Sequence, residues 1–373
     1  MVVRVSWDQA LAWRMGRQLL DPVGELPVDD VVRRLSGVQA QVASNAELAI
    51  RVRQRSSAAG AVGRALADGR LIKTWAMRGT LHLLTPQEGA ACLSLMAAGR
   101  TWERPSWQRY FGMPVEAWDR LRPAVREALA DGPLTREELV AAIVARPGLD
   151  HLGASLRAGW GTLLKPLAWQ GDLCFGPSRG PRVTFMRPES ASSRWTGIPD
   201  PDEAAPAVIA AYLGAYGPAA GSNFHGWLAR GWIGARRARS WFAALGDRLV
   251  EVDVDDEPRL ILAEDLDDLA RADRTTAVRL LPGFDQYVLG PGTDDSHIIP
   301  AARRPMVSRQ SGWIAPTVVS DGVVVGTWEL VGDDVRIAWF AEAPKPRAAA
   351  LEDAVARHAG IADRALRSVL RFV

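Results

Sequence analysis

Two Gly-Pro pairs, Gly132-Pro133 and Gly217-Pro218, stand 85 residues apart in this chain, and each interrupts a helical pattern. Proline has no N–H and glycine exposes the backbone, so neither pair belongs inside a helix. Each break leads into the same series: further helical stretches, then two strand-like runs joined by a turn. In the second copy a helix over 115–131 precedes the break. The capping box Thr135-Arg136-Glu137-Glu138 then opens the next helix. A helix over 155–170 ends at Gly171, and a hairpin over 172–186 carries a Gly/Pro-rich tip at 176–181. In the third copy the helices are 204–216, 224–230 and 234–245, and the hairpin is 249–262 with its turn at 255–258. The N-terminal region has the same plan. An amphipathic helix spans 7–20, and a second spans 28–37, with Asp29 and Asp30 in its first turn where they suit the helix dipole. Helical stretches at 46–54 and 59–68 lead to a hairpin over 71–84 turning at Arg78-Gly79. Three helices and a hairpin describe a winged helix, whose third helix and wing contact nucleic acid.

From residue 275 the pattern changes. Short strands are expected at 277–281, 298–299, 313–319, 322–328 and 335–340, with a hairpin signal at Val319-Ser320-Asp321-Gly322-Val323. A helix over 344–360 and a last helix near 362–372 close the chain. The expected organisation is α+β: winged-helix modules at 1–110, 111–199 and 200–274, then a β-rich domain at 275–373. Hydrophobic residues at 48% and charged residues at 24% are ordinary for a soluble globular protein. No apolar run approaches the roughly 18–20 residues that span a bilayer. The stretch from Met1 to Trp7 lacks a signal peptide's apolar core, and Cys92 and Cys174 alone make neither a disulfide framework nor a zinc site. These features point to a cytoplasmic protein. The net charge is +2, and only Lys73, Lys165 and Lys345 among 45 basic residues are lysines. A GC-rich genome accounts for most of that bias, although the arginine fork also suits phosphate. The sequence shows no P-loop, dinucleotide fingerprint or metal cluster. Any chemistry therefore falls to less usual groups, and Gln39-Ala40-Gln41 stands out among them.

Four blocks in order carry a family likeness: Gly37-Val38-Gln39-Ala40-Gln41, Met77-Arg78-Gly79-Thr80-Leu81-His82, Leu280-Leu281-Pro282-Gly283-Phe284-Asp285-Gln286-Tyr287, and Asp321-Gly322-Val323-Val324-Val325-Gly326-Thr327-Trp328. On these the chain resembles the AlkZ-like tandem winged-helix DNA glycosylases, the azinomycin-resistance family. The resemblance implies three winged helices and a C-terminal β-barrel-like domain, C-shaped overall, around double-stranded DNA. It implies a monofunctional glycosylase with no cofactor and no metal, acting as a monomer near the nucleoid. Its substrates would be N7-alkylguanine adducts and N7-guanine interstrand crosslinks. The role would be base-excision repair or self-protection against an antibiotic. A sister branch carries Asp at the second polar position of the first block; Gln41 places this chain with the Gln-x-Gln branch. Ala40 departs from the bulkier residue usual between the two, which bears on substrate choice.

The chemistry fits two amides. Cutting an N-glycosidic bond ordinarily needs a proton for the leaving base and a carboxylate near the sugar. A guanine alkylated at N7 is already cationic and leaves neutral, so acid assistance becomes unnecessary. Glutamine both accepts and donates hydrogen bonds but is no strong base. Gln39 and Gln41 are thus the candidate catalytic residues, holding the attacking water and turning amide dipoles toward the developing positive charge. In an α-helix, residues i and i+2 point about 200° apart, whereas in extended backbone they share a face. The motif should then lie in a turn or an extended piece after the second helix. Asn45, Arg78, His82, Arg236, Arg237, Arg239, Arg303, Arg304 and Arg309 are candidate DNA contacts, and Asp285 is a candidate for orienting water or an arginine. Asn45 is equally read as a helix cap, His82 as a bonded hairpin residue and Asp285 as a structural pair. Two other functions remain open on the residues alone: a non-catalytic winged-helix DNA-binding transcriptional regulator, and a winged-helix protein-interaction scaffold.

Overall fold

The computed structural model describes residues 3–158 and 161–373. The chain forms two compact units. One comprises Met1–Ala61, Ile209–Trp227 and Leu245–Val373; the other comprises Val62–Val208 and Leu228–Ala244.

In the first unit, helix Trp7–Arg17 starts at a capping box in which Ser6 and Gln9 bond each other's backbone N–H. Its apolar face, Ala10 and Trp13, packs on Val252, Val254 and Ile261. These belong to a three-stranded sheet in which Val3–Val5 lies parallel to Leu249–Val254, which pairs in turn with Glu257–Leu262. A second sheet holds five strands in chain order: Val278–Leu281, Thr317–Ser320, Val323–Val331, Asp334–Trp339 and Arg367–Phe372. The first four are antiparallel neighbours, and the fifth is parallel to the fourth. A parallel neighbour requires a crossover, and helix Ala348–Ala362 supplies it, burying Leu351, Ala354 and Val355 against the sheet.

Three expectations for this region are corrected. The sheet is open, with edges at Val278–Leu281 and Arg367–Phe372, so the β-rich domain is not a closed barrel. The segment expected as a last helix is the strand Arg367–Phe372. Asp363 ends the preceding helix in a left-handed conformation, φ 51°. The chain then meets the unpaired edge of Asp334–Trp339, whose ladder takes the N–H and C=O groups that a helix would have satisfied internally. Ile298 and Ile299, expected as a strand, lie outside any strand and are buried in a core with Leu11, Met15 and Tyr287.

The second unit contributes strands in the order Leu81–Leu84, Ile72–Trp75, Cys174–Arg179, Arg182–Met186 and Leu134–Thr135. The Thr135 capping box is formed as expected, with Thr135 and Glu138 exchanging side-chain bonds to backbone N–H. The helix expected over 155–170 is instead two pieces, Gly153–Arg157 and Leu164–Trp169; residues 159–160 lie outside the described residues. Between them Gly161 has φ +62° and lies so close to the Trp75 ring that a Cβ would sit 2.4 Å from it. That backbone conformation cannot continue a right-handed helix.

One order of elements recurs three times. Helix Val28–Arg34 leads through strand Val38–Gln39 to helices Ala43–Arg51 and Ala61–Ala67 and the first hairpin. Helix Trp118–Ala128 leads through Leu134–Thr135, which pairs with the closing strand Arg182–Met186. Helix Pro201–Tyr216 leads through Ala219, which bridges Leu260 in the closing strand of its hairpin. The short strand bearing Gln39 therefore holds the place in its repeat that Leu134–Thr135 holds in the second.

Candidate active site

Helix Val28–Arg34 ends at Leu35, and Ser36 and Gly37 come next with φ of 51° and 101°. Their N–H groups turn back to Arg33 O (3.0 Å) and Val32 O (2.9 Å), so the last helical carbonyls are satisfied while the chain reverses. Gln39 then sits in the two-residue strand Val38–Gln39, and Gln41 in a bend before helix Ala43–Arg51. Gln39 is buried, with 6% exposed; Ala40 is buried, and Gln41 is exposed. Among the described residues neither amide makes a side-chain hydrogen bond within the protein.

The matching junctions of the other repeats differ in this respect. Thr135 caps the helix next to it, and the Asn223 side chain accepts from the Ala220 N–H at 3.0 Å. In the first repeat the cap position is Val42, with no side-chain bond to the helix. Of these three junctions, the one bearing the two glutamines is the one whose polar side chains are left uncommitted, although a helix N-terminus ordinarily recruits a cap.

A buried network in the same unit holds the turn into Gln39. The Tyr216 hydroxyl donates to Leu35 O, the last residue before the reversal. Its ring passes so close to Gly290 that a Cβ there would come 2.1 Å from it, and the neighbouring Tyr212 hydroxyl donates to Gly290 O at 3.2 Å. Asp285 caps the short helix Gln286–Leu289 and accepts from Tyr287 N at 2.8 Å. Its two oxygens also accept from the two terminal Arg53 guanidinium nitrogens, at 2.6 and 2.8 Å, with both side chains fully buried. Arg53 further donates to Ala49 O (2.7 Å) and to Gln18 (3.3 Å). Asp285 thus orients an arginine and is sealed from water.

Three of the four sequence blocks meet in this unit. The Tyr287 hydroxyl, its pKa raised chiefly by burial, donates to Gly322 O at 2.7 Å, and the Trp328 indole donates to Leu281 O at 2.8 Å. Asn45 lies beyond Gln41 in the first turn of helix Ala43–Arg51. Its Nδ2 lies 3.0 Å from where a Cβ on Gly283 would sit, so the glycine makes room for it. Asn45 is not the cap of that helix.

The remaining candidates divide by what already holds them. In the second unit His82 is fully buried, with Nδ1 3.0 Å from Thr80 O. Burial first, and the nearby Arg78 charge second, push its pKa down to about 3. It is a neutral residue packed in the core. Arg78 is half-buried at φ 57° in the turn Met77–Gly79. On helix Ala235–Ala243, Arg237 is bound by Asp202 at 2.8 and 3.0 Å and covers Trp241, whereas Arg236 and Arg239 are exposed. In the first unit Arg303 is clamped by Glu342 at 2.6 and 2.7 Å, which pulls the Glu342 pKa down to about 2. Arg304 donates to Thr293 O at 3.0 Å, and Arg309 is exposed. A cavity of about 570 Å³ in this unit, lined by Ser320, Phe340 and Arg347 among others, includes none of the candidate residues. Sequence reasoning missed Arg53, Tyr216 and Gly290; each acts through a partner far along the chain, and no local pattern marks them.

Known proteins share this arrangement. A family model described as DNA glycosylase AlkZ-like matches residues 32–361. An interstrand DNA cross-link repair glycosylase of Streptomyces sahachiroi is 46% identical over 371 residues, 98% of this chain and 100% of that protein. The structure of Streptomyces sahachiroi DNA glycosylase AlkZ superposes with a TM-score of 0.94 at 46% identity, covering 100% of both chains. The protein belongs to the AlkZ-like family of DNA glycosylases, enzymes that hydrolyse the bond between base and sugar.

Proposed function

We propose that this enzyme excises cationic N7-alkylguanine from double-stranded DNA and unhooks N7-guanine interstrand crosslinks, with Gln39 and Gln41 positioning the attacking water. The crosslink substrate is supported by the name of the relative that matches along the whole chain. The observation that carries the mechanism is the pair of uncommitted amides at a junction whose counterparts engage Thr135 and Asn223 in side-chain hydrogen bonds. Gln39 offers a nearly dry donor and acceptor, and the exposed Gln41 reaches solvent two residues on. Such a pair orients water but does not deprotonate it. The rate then comes from the substrate's own charge, and neutral bases are not released. The three repeats act as winged helices, bounded at 1–110, 111–199 and 200–274, ahead of the sheet domain. Arg236, Arg239 and Arg309 meet phosphates, and Arg78 and Asn45 are further DNA contacts; the ion-paired Arg237, together with Arg303 and Arg304, shapes the protein surface. No helix is long and apolar enough to cross a membrane among the described residues, and the enzyme works as a cytoplasmic monomer without a cofactor.

The test is base release. Duplex DNA containing N7-methylguanine is incubated with enzyme, treated with alkali, and assayed for strand breaks at abasic sites. Breaks are expected with the parent protein and a loss of at least about 100-fold in Gln39→Ala and Gln41→Ala, the scale of one lost transition-state contact. Release of unmodified guanine at a comparable rate would refute the mechanism.

A further inference from the structure

We propose that Trp313 is a stacking platform for a nucleobase of the DNA substrate, presented beside the Gln39–Gln41 loop with Arg309 as its phosphate-facing neighbour. This rests on the DNA-glycosylase reading and adds a recognition residue to it.

Single exposed apolar side chains are ordinary on a protein surface, so the case rests on the loop that holds this one. Trp313 is 47% exposed and ends the exposed run that begins at Arg309. The loop is closed rather than loose. Arg309 N donates to Trp313 O at 2.8 Å, Ala315 N donates to Val307 O at 2.9 Å, and Ser308 bridges Ile314 as in a hairpin. Its tip passes through two left-handed residues, Ser311 at φ 58° and Gly312 at φ +74°. Beneath it Phe284, itself left-handed at φ 64°, meets the Trp313 ring edge-on with centroids 5.1 Å apart. Non-glycine residues at positive φ carry a conformational cost, and here they occur in both loops that support this one ring.

The platform comes near the candidate site at Gly283. Gly283 precedes Phe284, and a Cβ on it would sit 2.7 Å from Ile314 O and 3.0 Å from Asn45 Nδ2. Asn45 lies four residues after Gln41, in the first turn of the next helix. The glycine therefore lets the Trp313 loop and the glutamine-bearing segment close on one another. Arg309 is exposed and its Nε donates to Met306 O. Its outer guanidinium nitrogens have no carboxylate partner among the described residues. An aromatic face beside an exposed arginine is the pairing that binds a base together with its phosphate. Stacking is indifferent to base identity, so the platform fits the lesion or its neighbour without demanding a sequence.

The experiment measures binding and single-turnover base release for Trp313→Ala, Trp313→Phe and the parent on an N7-methylguanine duplex. Base stacking on an aromatic residue makes a difference of about 5- to 150-fold on alanine substitution. Trp313→Ala is expected to weaken binding by that factor, and Trp313→Phe to restore most of it. Thermal stability should not change between the three, because half the ring is already in solvent. A 2-aminopurine beside the lesion should lose fluorescence on binding the parent and not on binding Trp313→Ala. Equal binding by all three, or an unchanged 2-aminopurine signal, overturns the proposal. If the parent releases no base yet binds the duplex through Trp313, the platform stands and the glycosylase reading fails. Base release with no effect at Trp313 leaves the glycosylase reading standing and overturns the platform.

Discussion

Removing the carboxylate of Asp285 should be among the most damaging single changes available in this protein. Asp285→Ala deletes two charge-assisted bonds to Arg53, at 2.6 and 2.8 Å, and the cap on Tyr287 N. The Arg53 guanidinium stays where it is, fully buried, with one carbonyl and one amide as its remaining partners. Stranding a buried charge in this way costs about 3–5 kcal/mol, and losing the cap costs about 1 kcal/mol more. Typical domain stability is about 5–15 kcal/mol, so the variant should unfold at a much lower urea concentration. Urea denaturation followed by tryptophan fluorescence checks this. The cause is separable from simple loss of packing by removing both charges together, as in Arg53→Met with Asp285→Leu. Paired removal of a buried ion pair is often close to neutral, so the double variant should recover most of the lost stability. A double variant as unstable as Asp285→Ala would refute the stranded-charge argument, as would an Asp285→Ala midpoint equal to the parent's.

Gly290→Ala places a methyl about 2.1 Å from the Tyr216 ring, so the ring must leave and release its bond to Leu35 O. Overpacking of this kind costs about 1–3 kcal/mol, and base release should fall with thermal stability because Leu35 leads into Gln39. The His82 ring stays neutral down to about pH 3 when folded but takes up a proton near 6.5 when unfolded. The unfolded chain then binds more protons between those values, so stability is full above 6.5 and falls as pH drops toward 3, by at most about 1.4 kcal/mol per pH unit. Unfolding free energies of His82→Gln measured between pH 7 and 4 should show a shallower acid limb than those of the parent.

Much of the local structure was readable because its causes are local. Thr135 and Glu138 are three residues apart, and their reciprocal bonds form as the spacing predicts. The hairpin at 71–84 turns at Arg78-Gly79 because that step tolerates left-handed backbone, which both residues adopt. The expected last helix failed for the complementary reason. Residues 362–372 have no strong preference of their own, and the open edge of Asp334–Trp339 decided their state. A strand edge is a tertiary object and leaves no mark in the segment that will cover it.

The candidate site divides along the same line. The sequence by itself determined the repeated order of helices and hairpins and the family to which four short blocks belong. It also singled out Gln39 and Gln41 as the candidates for chemistry, because spacing, turn chemistry and residue type are read over a few positions. Only the tertiary structure decided what the other marked residues do. Asp285 became the partner of an arginine 232 residues away, His82 became a neutral core residue, and Arg237 and Arg303 were claimed by carboxylates. It alone left the two amides without side-chain hydrogen bonds while engaging Thr135 and Asn223 at the equivalent junctions. Whether a polar group is spent on the fold or kept for a substrate depends on which groups reach it in space, and contacts between distant segments are set only when the chain packs.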